Sequence, residues 1–216
     1  MKYRSNLSNF LATDIYGITA DEYSRGRGNV ETVRQMVEAG IKVIQYREKH
    51  KSARQMYQEC TAIREITRRC GITFIVNDHI DLAVSVCADG VHIGQDDLPP
   101  QEVRRLAGDE MIIGLSTHSP AQARAASDIA GIIDYIGVGP IFATRTKRDV
   151  CRPVGLAYLE YVANNISLPF VAIGGIKEHN IRLVRAGGAG IISLVTEIVG
   201  APDIPAKVSA LRAVLS

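Results

Sequence analysis

The sequence has no closely spaced cysteines, no long apolar runs and little net charge, and each of these absences argues against a class of protein. Its four cysteines, Cys60, Cys70, Cys87 and Cys151, lie far apart without CxxC spacing, which argues against a zinc site or a disulfide framework. No apolar run approaches the roughly 20 residues that span a bilayer. Residues 1–12 lack the apolar segment of a secretory signal. A formal net charge of +2 gives no indication of nucleic-acid binding. We therefore expect a cytoplasmic protein that contacts neither membrane nor nucleic acid.

What the sequence does contain is a regular alternation of strand-like and helix-like segments. Eight apolar runs have the length of buried strands, and helical patterns separate them. One of these patterns covers residues 52–69, with Ser52 as N-cap and Gly71 as the stop. The runs lie at residues 15–19, 43–46, 73–76, 90–93, 111–115, 135–138, 170–173 and 191–195.

The alternation predicts a fold. Strands that alternate with helices pair in parallel through right-handed crossovers. Eight units in 216 residues (216/8 = 27 residues each) predict closure into a (β/α)8 TIM barrel, an α/β fold. We expect one domain over residues 1–216, with 1–12 as a polar N-terminal extension. A doubly wound open sheet is the structural alternative, but no GxGxxG motif follows the first run.

Charged side chains follow several of the runs, where the βα loops of a barrel carry its active site. Arg47 and Lys49 follow the second run, and Lys147 lies in the long segment 139–154 after the sixth. Arg offers a planar fork to phosphate oxygens and Lys a compact charge, so these three cations indicate an anion site. The plainer interpretation is solvated surface charge.

Two carboxylates end the third and fourth units. Asp78 and Asp97 would be neighbours in a barrel, and two carboxylates with few other ligands suit Mg²⁺, which shares its shell with water and substrate phosphates. Taken singly, each aspartate could instead cap the helix that follows it. Together with the cations nearby, they favour a metal site.

Uncharged groups complete the predicted active-site face. Gly174-Gly175 follows the seventh run and Val195-Thr196 closes the eighth. Many barrels bind phosphate at these two positions through backbone N–H groups. Gln45, Asn77 and Ser116 are able to contact the edge of a heterocycle, although structural hydrogen bonding explains each one equally well. His92, inside an apolar run, is expected to be a hydrogen-bonded core residue, whereas His118 on a loop could assist catalysis.

Seven motifs in this order resemble the thiamine-phosphate synthase family, from about residue 15 to residue 198. Single motifs are weak, but the set is specific, and its departures from the family pattern, such as Ala143 for proline and Thr196 for serine, remove no charge. The motifs are QYREK at 45–49, VND at 76–78, GVHIGQDD at 90–97, GLSTH at 114–118, GVGPIF at 137–142, TRTK at 144–147 and AIGGI at 172–176.

The resemblance implies an activity: a transferase that joins a hydroxymethylpyrimidine diphosphate to a thiazole phosphate, with Mg²⁺, to give thiamine phosphate and diphosphate. It implies dissociation of the diphosphate ahead of attack by the thiazole nitrogen. Arg47, Lys49 and Lys147 would act on the leaving diphosphate, and Asp78 and Asp97 would bind Mg²⁺. The implied substrate contacts are Gln45, Tyr46, Arg47, Glu48, Lys49, Asn77 and Ser116 for the pyrimidine diphosphate, and Thr144, Arg145, Thr146, Gly175, Val195 and Thr196 for the thiazole phosphate, with Lys147 reaching the diphosphate.

Three other functions remain open. A related thiazole tautomerase would need no diphosphate site and would use His118 as proton shuttle. A ligand-binding protein without catalysis is the alternative from another class, and a phosphosugar epimerase or isomerase would need an acid/base pair that these loops lack. Homo-oligomerisation is also left open. The retained aspartates and cations favour the synthase.

Overall fold

The computed structural model describes residues 2–144, 146 and 151–215, and it confirms the predicted (β/α)8 barrel as a single domain. Eight strands pair in parallel with their sequence neighbours, and β1 pairs with β8 to close the sheet. The ends differ from the predicted runs by at most two residues. The strands are β1 Ile15–Ile18, β2 Val43–Tyr46, β3 Thr73–Asn77, β4 Gly90–Ile93, β5 Ile112–Thr117, β6 Tyr135–Val138, β7 Phe170–Ala172 and β8 Ile191–Leu194.

Helices follow the strands and surround the barrel. The helical pattern predicted over residues 52–69 is confirmed as α3. Ser52 caps this helix by accepting from the Gln55 backbone N–H, and the Gln55 side chain accepts from the Ser52 N–H in a capping box. The helices are α1 Lys2–Leu11, α2 Gly28–Glu38, α3 Ala53–Arg69, α4 Ile80–Ser85, α5 Pro100–Ala107, α6 Pro120–Asp128, α7 Gly155–Asn165, α8 Ile181–Ala186, α9 Thr196–Val199 and α10 Ile204–Leu215.

Two apolar cores lie on the two faces of the sheet. The larger packs the outer face of the strands against the helices, and the smaller fills the barrel with side chains such as Val43, Ile75 and Tyr135. Helix α1 lies within the predicted polar extension, yet its Phe10 is fully buried in the inner core. Within the described residues, no helix combines the length and the apolar character needed to cross a bilayer.

Buried ion pairs stabilise the rim of the barrel at which the strands begin. Asp89 precedes β4 and takes a bidentate bond from Arg64, at 2.7 and 2.9 Å, while also accepting from the Phe74 backbone. Asp134 precedes β6, and its Oδ2 accepts one bond from Arg104 at 2.9 Å and one from the Ile113 backbone N–H at 2.8 Å. Because these carboxylates are already satisfied, this rim is structural, and chemistry is left to the opposite one.

Candidate active site

A cavity of about 470 Å³ opens at the carboxyl ends of the strands. It collects most of the predicted site residues, although they come from all parts of the sequence. Those that line it are Gln45, Arg47, Lys49, Asn77, Asp78, Ser116, Thr144, Thr146, Gly175, Val195 and Thr196.

The loop after β2 presents two cations to this cavity. Thr19, which is fully buried directly after β1, holds the start of the loop: its hydroxyl accepts from the Arg47 backbone N–H at 2.9 Å. The half-buried Arg47 guanidinium lines the cavity and has no hydrogen-bond or ion-pair partner among the described residues. Lys49 contacts Asp78 instead, with its ammonium nitrogen 2.5 Å from a carboxylate oxygen. An unpaired, half-buried guanidinium is suited to an anionic ligand.

Tyr46 and Glu48 from the same segment, for which we predicted substrate contact, are not among the residues that line the cavity. Side chains alternate along a strand, so that Gln45 points inward and Tyr46 outward, where its hydroxyl donates to Glu59 at 2.7 Å. The Glu48 carboxylate folds back on its own loop and accepts from the backbone N–H groups of Lys49 and His50 at 2.8 and 3.0 Å. Glu48 thereby shapes the loop that carries the cations.

The two predicted metal ligands lie close together. Burial favours a higher pKa for Asp78, but the hydrogen bond and charge of Lys49, followed by a hydrogen bond with Asp97, hold that pKa below its usual range. Asp78 is therefore ionised at neutral pH. It also has a left-handed backbone (φ 61°), a conformation that costs non-glycine residues energy and often marks functional sites. Asp97 is exposed, and its Oδ2 accepts from the Gly94 N–H at 2.6 Å.

This donor set fits a hard divalent cation that keeps most of its shell as water or phosphate. Mg²⁺ commonly binds through one or two carboxylates and completes its octahedron with solvent and substrate oxygens. Within the described part of the chain, His, Cys, Asp and Glu side chains form no group of three or more suited to a metal. Asp78 and Asp97 would therefore hold the ion only together with water and a ligand.

Glycines after β7 bring backbone close to the opposite side of the cavity. Gly174 and Gly175 both have positive φ, and a Cβ on Gly175 would lie 2.5 Å from the Ala143 carbonyl oxygen. The turn also brings Lys177 to the cavity, a residue that none of the sequence motifs includes. Its Nζ donates to the Thr196 hydroxyl at 2.9 Å and lies 3.1 Å from Glu197. The Gly174-Gly175 turn and Val195-Thr196 form a cup at this side of the cavity, and Lys177 adds a cation to its predicted backbone donors.

The long segment after β6 is anchored where it leaves the barrel. The Ile141 and Phe142 N–H groups donate to the carbonyls of Ile173 and Gly174, and the Thr144 hydroxyl donates to Thr146 at 3.1 Å. Both threonines line the cavity. Arg145 and Lys147, to which we assigned substrate contact and catalysis, lie outside the described residues, and their roles stay predictions.

Two histidines also reach the cavity. His118 Nδ1 lies 2.6 Å from the Gly139 carbonyl oxygen, which leaves Nε2 as the nitrogen able to meet a ligand. His92 has Tyr135 Oη 2.9 Å from Nδ1 and Ser116 Oγ 2.9 Å from Nε2. Our expectation of a hydrogen-bonded His92 agrees with these contacts, but the residue lines the cavity as well.

Comparison with known proteins assigns the chain to a family. The family model described as thiamine monophosphate synthase matches residues 15–198. A protein of Pelotomaculum thermopropionicum named thiamine-phosphate synthase is 70% identical over 216 residues, covering 100% of this chain and 98% of the relative. One of the same name from Lawsonia intracellularis is 53% identical over 202 residues, covering 94% and 92%.

Solved structures agree with this assignment. Thiamine phosphate pyrophosphorylase from Pyrococcus furiosus superposes with a TM-score of 0.85 at 32% identity, over 98% of this chain and 97% of that one. A 3-hexulose-6-phosphate synthase, with a TM-score of 0.62 at 15% identity over 93% and 100%, shares the fold alone. With the motifs lining one cavity and relatives matched over nearly their whole length, the chain belongs to the thiamine monophosphate synthase family.

Proposed function

We propose that the protein is a transferase that condenses 4-amino-2-methyl-5-hydroxymethylpyrimidine diphosphate with 4-methyl-5-(2-hydroxyethyl)thiazole phosphate, giving thiamine phosphate and diphosphate in thiamine biosynthesis. One observation supports the proposal most strongly: the unpaired Arg47 guanidinium and the glycine-rich cup around Gly175 line the same cavity. Two anion sites that share a cavity fit two phosphorylated rings that must meet. The names of the relatives support the same reaction.

The β2 loop and the aspartates would serve the diphosphate. In a dissociative reaction, negative charge grows on the leaving diphosphate before the thiazole nitrogen attacks, so fixed cations accelerate the step. Arg47 and Lys49 would supply that charge, with Asn77 as an amide partner. Mg²⁺, when bound by Asp78 and Asp97, would add positive charge beside the diphosphate oxygens. A side-chain nucleophile is not required.

The cup and the segment after β6 would hold the thiazole phosphate. Backbone N–H groups at Gly175 and at Val195-Thr196, with the Thr144 and Thr146 hydroxyls, are the predicted donors. We add Lys177, whose ammonium group bonds Thr196 and is placed to attract a phosphate. Holding both rings in line lowers the entropic part of the barrier.

We further propose that segment 139–154 closes over the two bound anions. Its first described residues join the barrel through the N–H groups of Ile141 and Phe142, which donate to Ile173 and Gly174. Its last residue returns to its beginning, because the Val154 N–H donates to the Pro140 carbonyl. Lys147 and Arg145, which lie outside the described residues, would then contact the anions. Closure would keep water from capturing the pyrimidine cation. We place the reaction in the cytoplasm, a location for which the four free cysteines give support.

One incubation tests the proposal: the purified protein, both phosphorylated rings and Mg²⁺, with thiamine phosphate and diphosphate quantified over time. Stoichiometric formation of the two products is expected. The tautomerase alternative draws on the placement of His118 in the cavity. Isomerisation of a thiazole phosphate without diphosphate release would favour that alternative and overturn the synthase.

A further inference from the structure

A continuous chain of hydrogen bonds crosses the interior of the barrel and joins two of the cavity's polar groups. The Gln45 side-chain nitrogen lies 2.9 Å from Tyr16 Oη, and Tyr16 Oη lies 3.2 Å from Tyr135 Oη. Tyr135 Oη is 2.9 Å from His92 Nδ1, and His92 Nε2 is 2.9 Å from Ser116 Oγ. The first four residues of this hydrogen-bond chain come from β2, β1, β6 and β4, and the last, Ser116, comes from β5.

The barrel is shaped to admit these rings. A Cβ on Gly114 would lie 2.2 Å from a Tyr135 ring carbon and 2.5 Å from His92 Nδ1, so that strand must carry glycine there. Phe10 packs beneath, with its ring centroid 4.4 Å from that of Tyr135 and 5.9 Å from that of Tyr16. Both tyrosines are almost completely buried. Such packing leaves the rings few alternative positions.

The number of protons available determines which group donates and which accepts along this hydrogen-bond chain. Burial raises the pKa of Tyr16 and of Tyr135, so each hydroxyl keeps its single proton at neutral pH. Tyr16 Oη accepts from the Gln45 amide, and its own proton therefore goes to Tyr135. Tyr135 in turn donates to His92 Nδ1. His92 must then carry its proton on Nε2 and donate it to Ser116.

The opposite direction of donation would leave one buried proton without an acceptor. If His92 Nδ1 donated to Tyr135 and Tyr135 to Tyr16, the Tyr16 oxygen would accept twice. Its own proton would then have no acceptor among the described residues, because the amide nitrogen of Gln45 faces it. A buried donor without a partner costs about 1–3 kcal/mol by the usual desolvation penalty.

We propose that this chain sets the hydrogen-bonding polarity of the ring subsite, with Tyr16, Tyr135 and His92 as positioning residues. It leaves the Gln45 carbonyl oxygen as an acceptor and the Ser116 hydroxyl as a donor, both towards the cavity. An acceptor paired with a donor matches an aminopyrimidine edge, where an exocyclic amine donates and a ring nitrogen accepts. This identification of the ligand rests on the proposed function.

The direction can be measured without turnover. In protein labelled with ¹⁵N-histidine, long-range ¹H–¹⁵N correlation distinguishes protonated from unprotonated ring nitrogens, and His92→Gln identifies the His92 signals. We expect unprotonated Nδ1 and protonated Nε2 in the wild-type protein. Tyr16→Phe, which does not contact His92, is expected to shift both His92 nitrogens towards averaged values, because it removes the donor that orients Tyr135.

Tyr158→Phe is the matched control, since Tyr158 is a buried tyrosine whose hydroxyl bonds Thr117 outside the chain. It should leave the His92 signals in place. A protonated Nδ1 in the wild type, or His92 signals that Tyr16→Phe does not move, would overturn the proposal. The wild-type spectrum decides the direction even if Tyr16→Phe does not fold.

Kinetics then separate this inference from the proposed function. Tyr16→Phe should raise the KM for the pyrimidine diphosphate about tenfold, the effect of one weakened hydrogen bond. The KM for the thiazole phosphate should stay unchanged. Equal increases in both KM values would count against a ring subsite. Absence of thiamine phosphate with the wild-type protein would refute the synthase instead, while the His92 spectrum would still report the direction of the chain.

Discussion

The ammonium nitrogen of Lys49 lies 2.5 Å from a carboxylate oxygen of Asp78, across the loops that follow β2 and β3. The pair joins the predicted diphosphate cation to the predicted metal ligand. Each group can exchange its partner, Lys49 for a phosphate oxygen and Asp78 for a cation, without leaving a buried charge unpaired. The ligand-free site thus holds its charges in balance until substrate and metal arrive.

Lys49→Ala should therefore remove a cation from the leaving group and free Asp78. We expect ring joining to fall about 10²–10³-fold, the usual effect of losing one electrostatic donor. Binding of thiazole phosphate, measured by calorimetry, should persist. Lys42→Ala is the control, since Lys42 is an exposed lysine just before β2, at the other rim. Near-full activity in Lys49→Ala would contradict the role assigned to Lys49. Near-full activity in Lys147→Ala would likewise contradict the role assigned to Lys147.

Metal dependence is the second prediction. EDTA should abolish product formation and added Mg²⁺ should restore it, because Asp78 and Asp97 together offer hard oxygen ligands. Asp97→Ala should reduce the rate far more than it lowers Tm, since the Asp97 side chain is exposed. Asp96→Ala, on the same exposed loop, is the control. Full turnover in metal-free buffer would remove the basis for this site.

The sequence predicted the barrel well because its strands are buried on both faces and read as unbroken apolar runs. Strand direction then placed Arg47, Asp78 and Gly175 at one rim. The same alternation of side chains predicts that Gln45 and Tyr46 face opposite sides of the strand. The substrate contact of Tyr46 was predicted because the motif at 45–49 was carried over as a block.

Other features depended on tertiary structure. Lys177 stands beyond the Gly174-Gly175 turn among residues typical of a helical surface, and only the turn brings it to Thr196. The Tyr16–Tyr135 contact joins residues 119 positions apart. In sequence each tyrosine resembles an ordinary core residue, because nothing local marks which strands will face each other inside the barrel.

Ser193→Ala is expected to stabilise the ligand-free protein. Ser193 is one of the residues around the cavity, but its hydroxyl is buried and has no hydrogen-bond partner among the described residues. Removing an unsatisfied buried hydroxyl should raise the free energy of unfolding by about 1 kcal/mol. Urea denaturation measures this. Thr117→Val is the contrast: the Thr117 hydroxyl donates to Gly137 and accepts from Tyr158, so its loss should destabilise. Destabilisation of similar size in both variants would contradict the assignment.

The last prediction concerns acid stability and the Asp14–Arg212 pair at the rim where the strands begin. Burial would raise the pKa of Asp14, but the hydrogen bond from Arg212, a bond from the Ile15 backbone and the charge of Arg212 hold it below its usual value. A carboxylate whose pKa is depressed by folding stabilises the protein above its unfolded-state pKa of about 3.9. That contribution is lost as the pH falls through the lower folded-state value.

Asp14→Asn removes this contribution. The variant should therefore be less stable than the wild type at pH 6, and the gap in unfolding free energy should narrow as the pH drops below about 4. Urea denaturation of both proteins between pH 6 and pH 3 measures the gap. Glu31→Gln, at an exposed ion pair with Arg34, serves as the control and should show almost no gap at any pH. A gap for Asp14→Asn that widened on acidification would reverse the sign of the linkage, and Asp14 would then be a residue whose pKa folding raises.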